Sequence, residues 1–265
     1  MPPSEELTQL LQEHQLSLNV LKDQHFCIDK SVFQTLVHAA HLKREDVVIE
    51  IGPGSGLLTR KIAKQVKKVI AIELDETLKP LLTDLPKNVD LHFGNALTIL
   101  PLHKEFNKLI SNLPYQICEP LLQYLTTVKH IQLTVLTVPK TFARKAQKHP
   151  IFSSFLSIEI IKDVPKEAFY PQPRVLSAII TISPIKNPTD AQFLIQKIHL
   201  QRDKKLRNGL RDALIDLYKR KNKILTKKQA VELIQQSHLS EKTLDTLIAK
   251  VHLKKYKEFS TVPLP

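Results

Sequence analysis

Val47-Val48-Ile49-Glu50-Ile51 runs directly into Gly52-Pro53-Gly54-Ser55-Gly56, and these ten residues decide how the rest of the chain is read. The first five form a β-branched run of strand length. The second five hold three of the five glycines in a chain of 265 residues. Glycine is needed where the backbone takes positive φ or where another molecule approaches the main chain closely. A helical apolar spacing follows from Leu57 to Val66, so the loop sits between a strand and a helix, where parallel α/β sheets bind ligands. Gly94 closes the run Val89 to Phe93 at the same predicted edge. Glu73 lies 21 residues beyond Gly52, near the end of the run Val69 to Leu74, where such folds place an acid that accepts from ribose hydroxyls. A glycine loop alone can be a simple strand-to-helix turn; with Glu73 it predicts a nucleoside-containing cofactor. The dinucleotide pattern G-x-G-x-x-G is not met, because the third glycine comes one residue early.

Outward from this centre, short apolar runs alternate with helical stretches. Val47 to Ile51, Val69 to Leu74, Val89 to Phe93, Lys108 to Ser111 and Leu133 to Val138 read as strands, with helical spacing at Leu57 to Val66 and Thr77 to Leu85. Leu156 to Asp163 and Ser177 to Ser183, separated by the proline-marked loop Val164 to Val175, complete a seven-stranded, doubly wound sheet. Past Pro184 the chain becomes amphipathic and Lys-rich around Phe193 to Tyr218, Lys227 to Ser237 and Glu241 to Val251, and its last residues, Phe259 to Pro265, read as an irregular tail. The expected organisation is an N-terminal helical extension over 1–20, an α/β domain over 21–184 and a small helical domain over 185–265.

Hydrophobic residues make up 42% of the chain, enough for a real core. No apolar run is long enough to span a bilayer, and the first 30 residues lack a signal-like core, so no membrane association and a cytoplasmic location are expected. Cys27 and Cys118 have no redox or metal spacing, and the eleven histidines show none, so no metal is expected. The net charge of +13 is uneven: residues 185–265 carry 18 Lys or Arg against 8 Asp or Glu, and residues 1–184 carry 21 against 18. A basic tail attracts polyanions such as nucleic acid, or is simply a solvated helical surface.

Ser111-Asn112-Leu113-Pro114-Tyr115, after the fourth strand, is the most informative string. It resembles the N-x-P-Y motif of methyltransferases acting on nucleobase amines, and the exocyclic adenine amine that this resemblance implies is a poor nucleophile, because its lone pair is delocalised into the ring. Two acceptors that hold its hydrogens let the nitrogen pyramidalise toward an electrophile. The Asn112 side-chain oxygen and a carbonyl of Leu113 or Pro114 can supply them, while Pro114 holds the preceding residue extended and Tyr115 can stack on the base. Such a site orients reactants and needs no general base. The target base must leave its stack, a cost that aromatic walls offset.

Glu50 to Gly56 resembles the first motif of S-adenosylmethionine methyltransferases, and Asn112 to Tyr115 resembles the N-x-P-Y motif of methyltransferases acting on nucleobase amines. Over residues 14–215 the chain resembles the ribosomal RNA adenine dimethyltransferases of the small subunit. The resemblance extends to Gln24-His25-Phe26-Cys27-Ile28-Asp29, to Ala168 through Val175 with Ser177-Ala178, and to Gln201 through Asn208. It implies a Rossmann-like class I methyltransferase fold, S-adenosylmethionine as cofactor, and RNA of a small-subunit assembly intermediate as partner of a monomeric enzyme. It also implies that Asn112, Leu113, Pro114, Tyr115 and Phe169 serve catalysis, with Phe169 facing Tyr115 across the base. The implied cofactor set is Gln24, His25, Cys27, Gly52, Gly54, Glu73, Leu74, Asn95 and Asn112, with Asn95 meeting the cofactor adenine. Arg202, Lys204, Lys205, Arg207 and Arg211 are the implied RNA contacts. The chain departs from the family pattern at Asn95, usually Asp; at Cys27, usually Leu; at Asp23, usually Gly; and over 138–150, where only Phe142, Ala143 and Arg144 of a glutamate-containing helix persist.

Two other readings share these features: an antibiotic-resistance methyltransferase acting on large-subunit RNA, and a non-catalytic RNA-binding assembly factor. Pro53 and Lys204 to Asn208 look more like the small-subunit group, and pure binding has no use for an amine-positioning loop.

Overall fold

The computed structural model describes residues 25–262 together with 8, 9, 12 and 13, so most of the 1–20 extension and Gln24 lie outside the described residues. The chain divides into two compact units, 1–147 with 158–184, and 148–157 with 185–265. A division at Pro184 alone misplaces residues 148–157. Ile151 packs with Leu194, Ile198 and Leu210 of the helical unit, which draws that excursion out of the α/β unit.

The α/β unit begins with β1 (Phe26–Cys27) and α1 (Lys30–Ala39), the latter capped by the Asp29 side chain accepting from the Ser31 N–H at 2.7 Å. It continues through β2 (Val47–Ile51), α2 (Leu57–Ala63), β3 (Lys68–Glu73), β4 (Val89–Phe93), α3 (Ala96–Ile99), β5 (Lys108–Asn112), α4 (Cys118–Leu125), β6 (Leu133–Pro139) and α5 (Lys140–Lys148). After the short α6 (Phe152–Phe155) come β7 (Leu156–Val164), β8 (Phe169–Tyr170) and β9 (Ser177–Pro184). Seven strands form one sheet in the order β4-β3-β2-β5-β6-β9-β7, parallel from β4 to β6 and reversed at β9. Val48, Ile49, Ile70, Leu109, Ile110, Val135 and Leu136 are wholly buried, as expected of parallel strands covered on both faces. The expected helix from Thr77 to Leu85 is instead a 3₁₀ segment over Glu76–Leu82: Pro80, inside it, lacks the N–H that an α-helix would use.

A buried ion pair closes the amino edge of the sheet. Lys108 Nζ donates to Asp46 at 2.8 Å and to the His41 carbonyl at 2.5 Å, and Asn107 donates to the other Asp46 oxygen at 2.7 Å. Donors on both Asp46 oxygens and a second acceptor for the ammonium are what make a buried pair tolerable. It lies at the end of the strands opposite the glycine loop.

The helical unit contains α7 (Asp190–His199), α8 (Leu206–Arg220), α9 (Lys227–Gln235) and α10 (Glu241–Leu244). The amphipathic run expected over Phe193 to Tyr218 is therefore two helices separated at Leu200 to Lys205. Thr189 with Gln192, and Thr226 with Gln229, form capping boxes at α7 and α9. Phe259 and Val262, expected in an irregular tail, are buried in this unit's core, and residues 263–265 lie outside the described residues.

Candidate active site

The chain leaves β2 through a loop in which Gly52 and Gly54 take φ of +69° and +56°. Positive φ is one reason for glycine; proximity is the other. A Cβ on Gly54 would stand 3.2 Å from the Phe26 ring, and one on Gly52 would stand 3.4 Å from the Pro114 ring. The Gly54 N–H donates to Glu73 at 3.1 Å, and the Asp75 N–H donates to the other Glu73 oxygen at 2.9 Å. Burial raises the Glu73 carboxyl above its ordinary range, against these backbone donors. Each of its oxygens retains a lone pair for a further donor such as a sugar hydroxyl.

Asn112 ends β5. The Ser111 hydroxyl donates to the Ile51 carbonyl at 2.5 Å, tying this strand end to the start of the glycine loop. The Asn112 side-chain amide donates to the His25 carbonyl at 3.2 Å, which leaves Oδ1 as the acceptor that Asn112 offers. The Pro114 carbonyl accepts from Ile117 N–H at 3.2 Å. Among the described residues no donor reaches the Leu113 carbonyl, which makes it the better placed of the two backbone acceptors.

Tyr115 is held at both ends. Its hydroxyl pairs with Ser177 Oγ at 2.5 Å, and its ring lies 5.9 Å from the His25 ring at 34°. The His25 ring is anchored in turn by Nδ1 donating to the Pro171 carbonyl at 2.7 Å. Behind it β1 and β8 pair antiparallel, Phe26 with Tyr170 and Cys27 with Phe169. Phe169, expected to face Tyr115 across the target base, is 1% exposed, packs in the apolar core against the sheet and lines the same cavity as Tyr115.

A cavity of about 500 Å³ joins these parts, within the usual range for small-molecule sites. His25, Cys27, Gly52, Gly54, Glu73, Leu74, Asn112, Leu113, Pro114, Tyr115 and Phe169 all line it. Burial pushes the Cys27 thiol up to about 12, so it is a neutral wall residue. Leu74 is 73% exposed, an apolar face at the rim. Asn95 does not line the cavity: its side chain accepts from Leu97 N–H at 2.9 Å and caps α3, work for which Asn and Asp are equally suited. No group of His, Cys, Asp and Glu among the described residues could hold a metal.

Glu50 escaped the sequence reading although it stands in the opening string. It is buried in the cavity wall, and its Oε2 has no hydrogen-bond partner among the described residues. Burial, reinforced by the neighbouring Glu73, pushes its carboxyl up to about 8. A charged residue at a central position of a parallel strand was the available signal. A partnerless buried acceptor beside a glycine cradle and a ribose-type acid suits S-adenosylmethionine, which carries both ribose hydroxyls and positive charge. Phe26, Phe33, Leu58 and Leu78 supply apolar wall that sequence spacing did not identify.

The tail residues expected to meet RNA are mostly engaged within the helical unit. Lys204 pairs with Asp212 at 3.0 Å, Lys205 with Asp245 at 3.8 Å, Arg207 with Glu241 and Asp245, and Arg211 with Asp212 at 2.8 Å. Of the five, Arg202 alone has no ion pair among the described residues.

The strand order, the glycine loop at the first strand's carboxyl end and the cavity there define a Rossmann-like class I methyltransferase. The family model "Ribosomal RNA adenine dimethylase" matches residues 17–244, and the chain belongs to that family. It is 37% identical to a probable ribosomal RNA small subunit methyltransferase A of Methanosarcina barkeri, over 71% of each chain. It is 34% identical to the ribosomal RNA small subunit methyltransferase A of Crocosphaera subtropica, over 73% of this chain and 83% of that one. Among solved structures, a dimethyladenosine transferase from Plasmodium falciparum shares the fold with a TM-score of 0.58 at 21% identity, covering 89% of this chain and 96% of that one. The 23S rRNA methyltransferase ErmE does so with 0.56 at 19%, covering 89% and 99%. No helix among the described residues is long and apolar enough to cross a membrane.

Proposed function

We propose that the chain dimethylates the exocyclic amine of adenosines in small-subunit ribosomal RNA, drawing methyl groups from S-adenosylmethionine. The observation that carries this reading is the Asn112 amide, fixed by the His25 carbonyl at the wall of the cavity that also contains the glycine cradle.

The cofactor supplies an activated methyl on a positively charged sulfur. Gly52, Gly54 and Glu73 would hold its methionine and ribose parts, and Leu74 would give its base an apolar face. On the substrate side, Asn112 Oδ1 and the Leu113 carbonyl accept the two amine hydrogens, turning the nitrogen lone pair out of conjugation. Tyr115, locked by Ser177 and flanked by His25, gives the flipped base a rigid surface and so restricts it to attack geometry. The proton leaves only after the nitrogen has acquired its methyl, so the transfer requires no general base at Asn112.

Small-subunit RNA is favoured over large-subunit RNA by the names of the relatives at 30–38% identity. Nucleoside mass spectrometry on purified ribosomal subunits incubated with the chain and S-adenosylmethionine tests the reading. Dimethyladenosine confined to small-subunit RNA is the expected result. Modification of large-subunit RNA alone, or binding without any transfer, overturns it. Assembly of the small subunit as the setting, a monomeric state and a cytoplasmic location are parts of the same proposal.

A further inference from the structure

The chain has no Asp or Glu between Glu119 and Glu159, a stretch that contains Lys129, Lys140, Arg144, Lys145 and Lys148. Its helix α5 turns Ala143 and Ala146 inward and leaves Thr141, Arg144 and Lys145 exposed. The spacing i, i+3, i+4 puts these three on one face. Arg174, in the loop before β9, is exposed as well, and none of Arg144, Lys145 and Arg174 has a carboxylate partner among the described residues. Asp163 pairs with Lys140 of this helix at 2.5 Å.

This face is linked to the base-binding tyrosine by short covalent and hydrogen-bonded steps. Tyr115 is bonded to Ser177, Ser177 pairs with Pro139 across β9 and β6, and the Lys140 N–H donates to the Leu176 carbonyl at 2.9 Å. Arg144 and Lys145 then lie four and five residues along α5, about 6–8 Å of helical rise from that junction. When a base swings into a pocket its own phosphates stay at the rim, and cations waiting there without internal partners gain the full counterion-release term. Lys204, Lys205, Arg207 and Arg211 are already neutralised by carboxylates and gain less.

We propose that Arg144, Lys145 and Arg174, with Thr141, form the docking face for the RNA phosphates that flank the target adenosine. The inference rests on the methyl-transfer reading above and assigns that site its RNA-gripping surface.

The test compares Arg144→Ala/Lys145→Ala/Arg174→Ala with Lys204→Ala/Lys205→Ala/Arg207→Ala, using transcribed small-subunit RNA over a salt series. The first triple variant is expected to lower the slope of log affinity against log salt by about 2–3 and to raise the RNA KM by roughly tenfold or more. S-adenosylmethionine affinity, read by calorimetry, is expected to stay at the unaltered value. The second triple variant is expected to change the slope by less than about 1. An unchanged slope in an active first variant overturns the docking face alone, as does a slope lost only in the second. Absence of transfer by the unaltered chain defeats the functional reading instead. If the first triple variant loses cofactor binding, Lys145→Ala by itself, expected to lower the slope by about 1, decides the same question.

Discussion

The side-chain amide of Asn112 is bonded to the main-chain carbonyl of His25, 87 residues earlier in the chain. That contact selects which end of the amide the cavity receives. It also joins the N-terminal loop, the carboxyl end of β5 and, through the His25 ring, the Pro171 loop into one support for the base.

Replacing Asn112 by Ala removes an acceptor used on the substrate amine. Turnover is expected to fall by at least about 10²-fold, the scale of losing one positioned polar group at a reacting centre. The S-adenosylmethionine Kd from calorimetry should move by less than about threefold. A variant that turns over normally would remove Asn112 from the chemistry.

The hydroxyl contact between Tyr115 and Ser177 fixes the orientation of the ring. Tyr115→Phe and Ser177→Ala should each lower kcat/KM by roughly 3- to 10-fold, corresponding to a hydrogen bond of about 0.5–1.5 kcal/mol. The double variant should be little worse than either single, because both remove the same contact. Fully multiplicative losses would show that the two act separately.

Gly54→Ala forces an L-residue into φ of +56° with its methyl 3.2 Å from the Phe26 ring. The backbone term alone is about 1–2 kcal/mol, and relief requires the loop or Phe26 to shift. Cofactor affinity is expected to drop roughly tenfold, or about 1.4 kcal/mol. Calorimetric titration showing affinity equal to the unaltered chain would place the cofactor elsewhere.

Glu50 gives a pH dependence of defined sign. Its carboxyl is pushed from 4.5 up to about 8 in the folded chain, so between those values the folded state holds a proton that the unfolded state has released. Stability from this group is therefore complete below about 4.5 and is lost as pH rises toward about 8. Glu73 shifts in the same direction. Tm measured across this window for the unaltered chain and for Glu50→Gln should show a flatter decline in the variant. Parallel curves would mean that Glu50 is ionised in the folded protein.

Much of this architecture is legible in the sequence. The strands β2 to β6 appear as short apolar runs, and three clustered glycines mark a loop where the backbone takes positive φ. Both signals are local, and local sterics produce them. The 3₁₀ turn at Pro80 and the break between α7 and α8 were harder, because a periodic apolar pattern persists across both and only backbone hydrogen bonding ends the helix. Asn95, expected from its place after β4 to meet the cofactor adenine, caps α3 through its oxygen and lies outside the cavity lining, an arrangement that depends on the backbone course after β4.

The sequence by itself determined the sheet, the cofactor edge and the Asn112-to-Tyr115 loop, since periodicity, glycine placement and the geometry before proline act over a few residues. Only the tertiary structure decided that the His25 ring flanks Tyr115, that Ser177 holds the tyrosine hydroxyl, and that Glu50 Oε2 in the cavity wall has no hydrogen-bond partner among the described residues. Those outcomes depend on strand register and on which side chains burial deprives of water. The Asn112–His25 and Tyr115–Ser177 bonds join residues more than 60 positions apart, which no local pattern encodes.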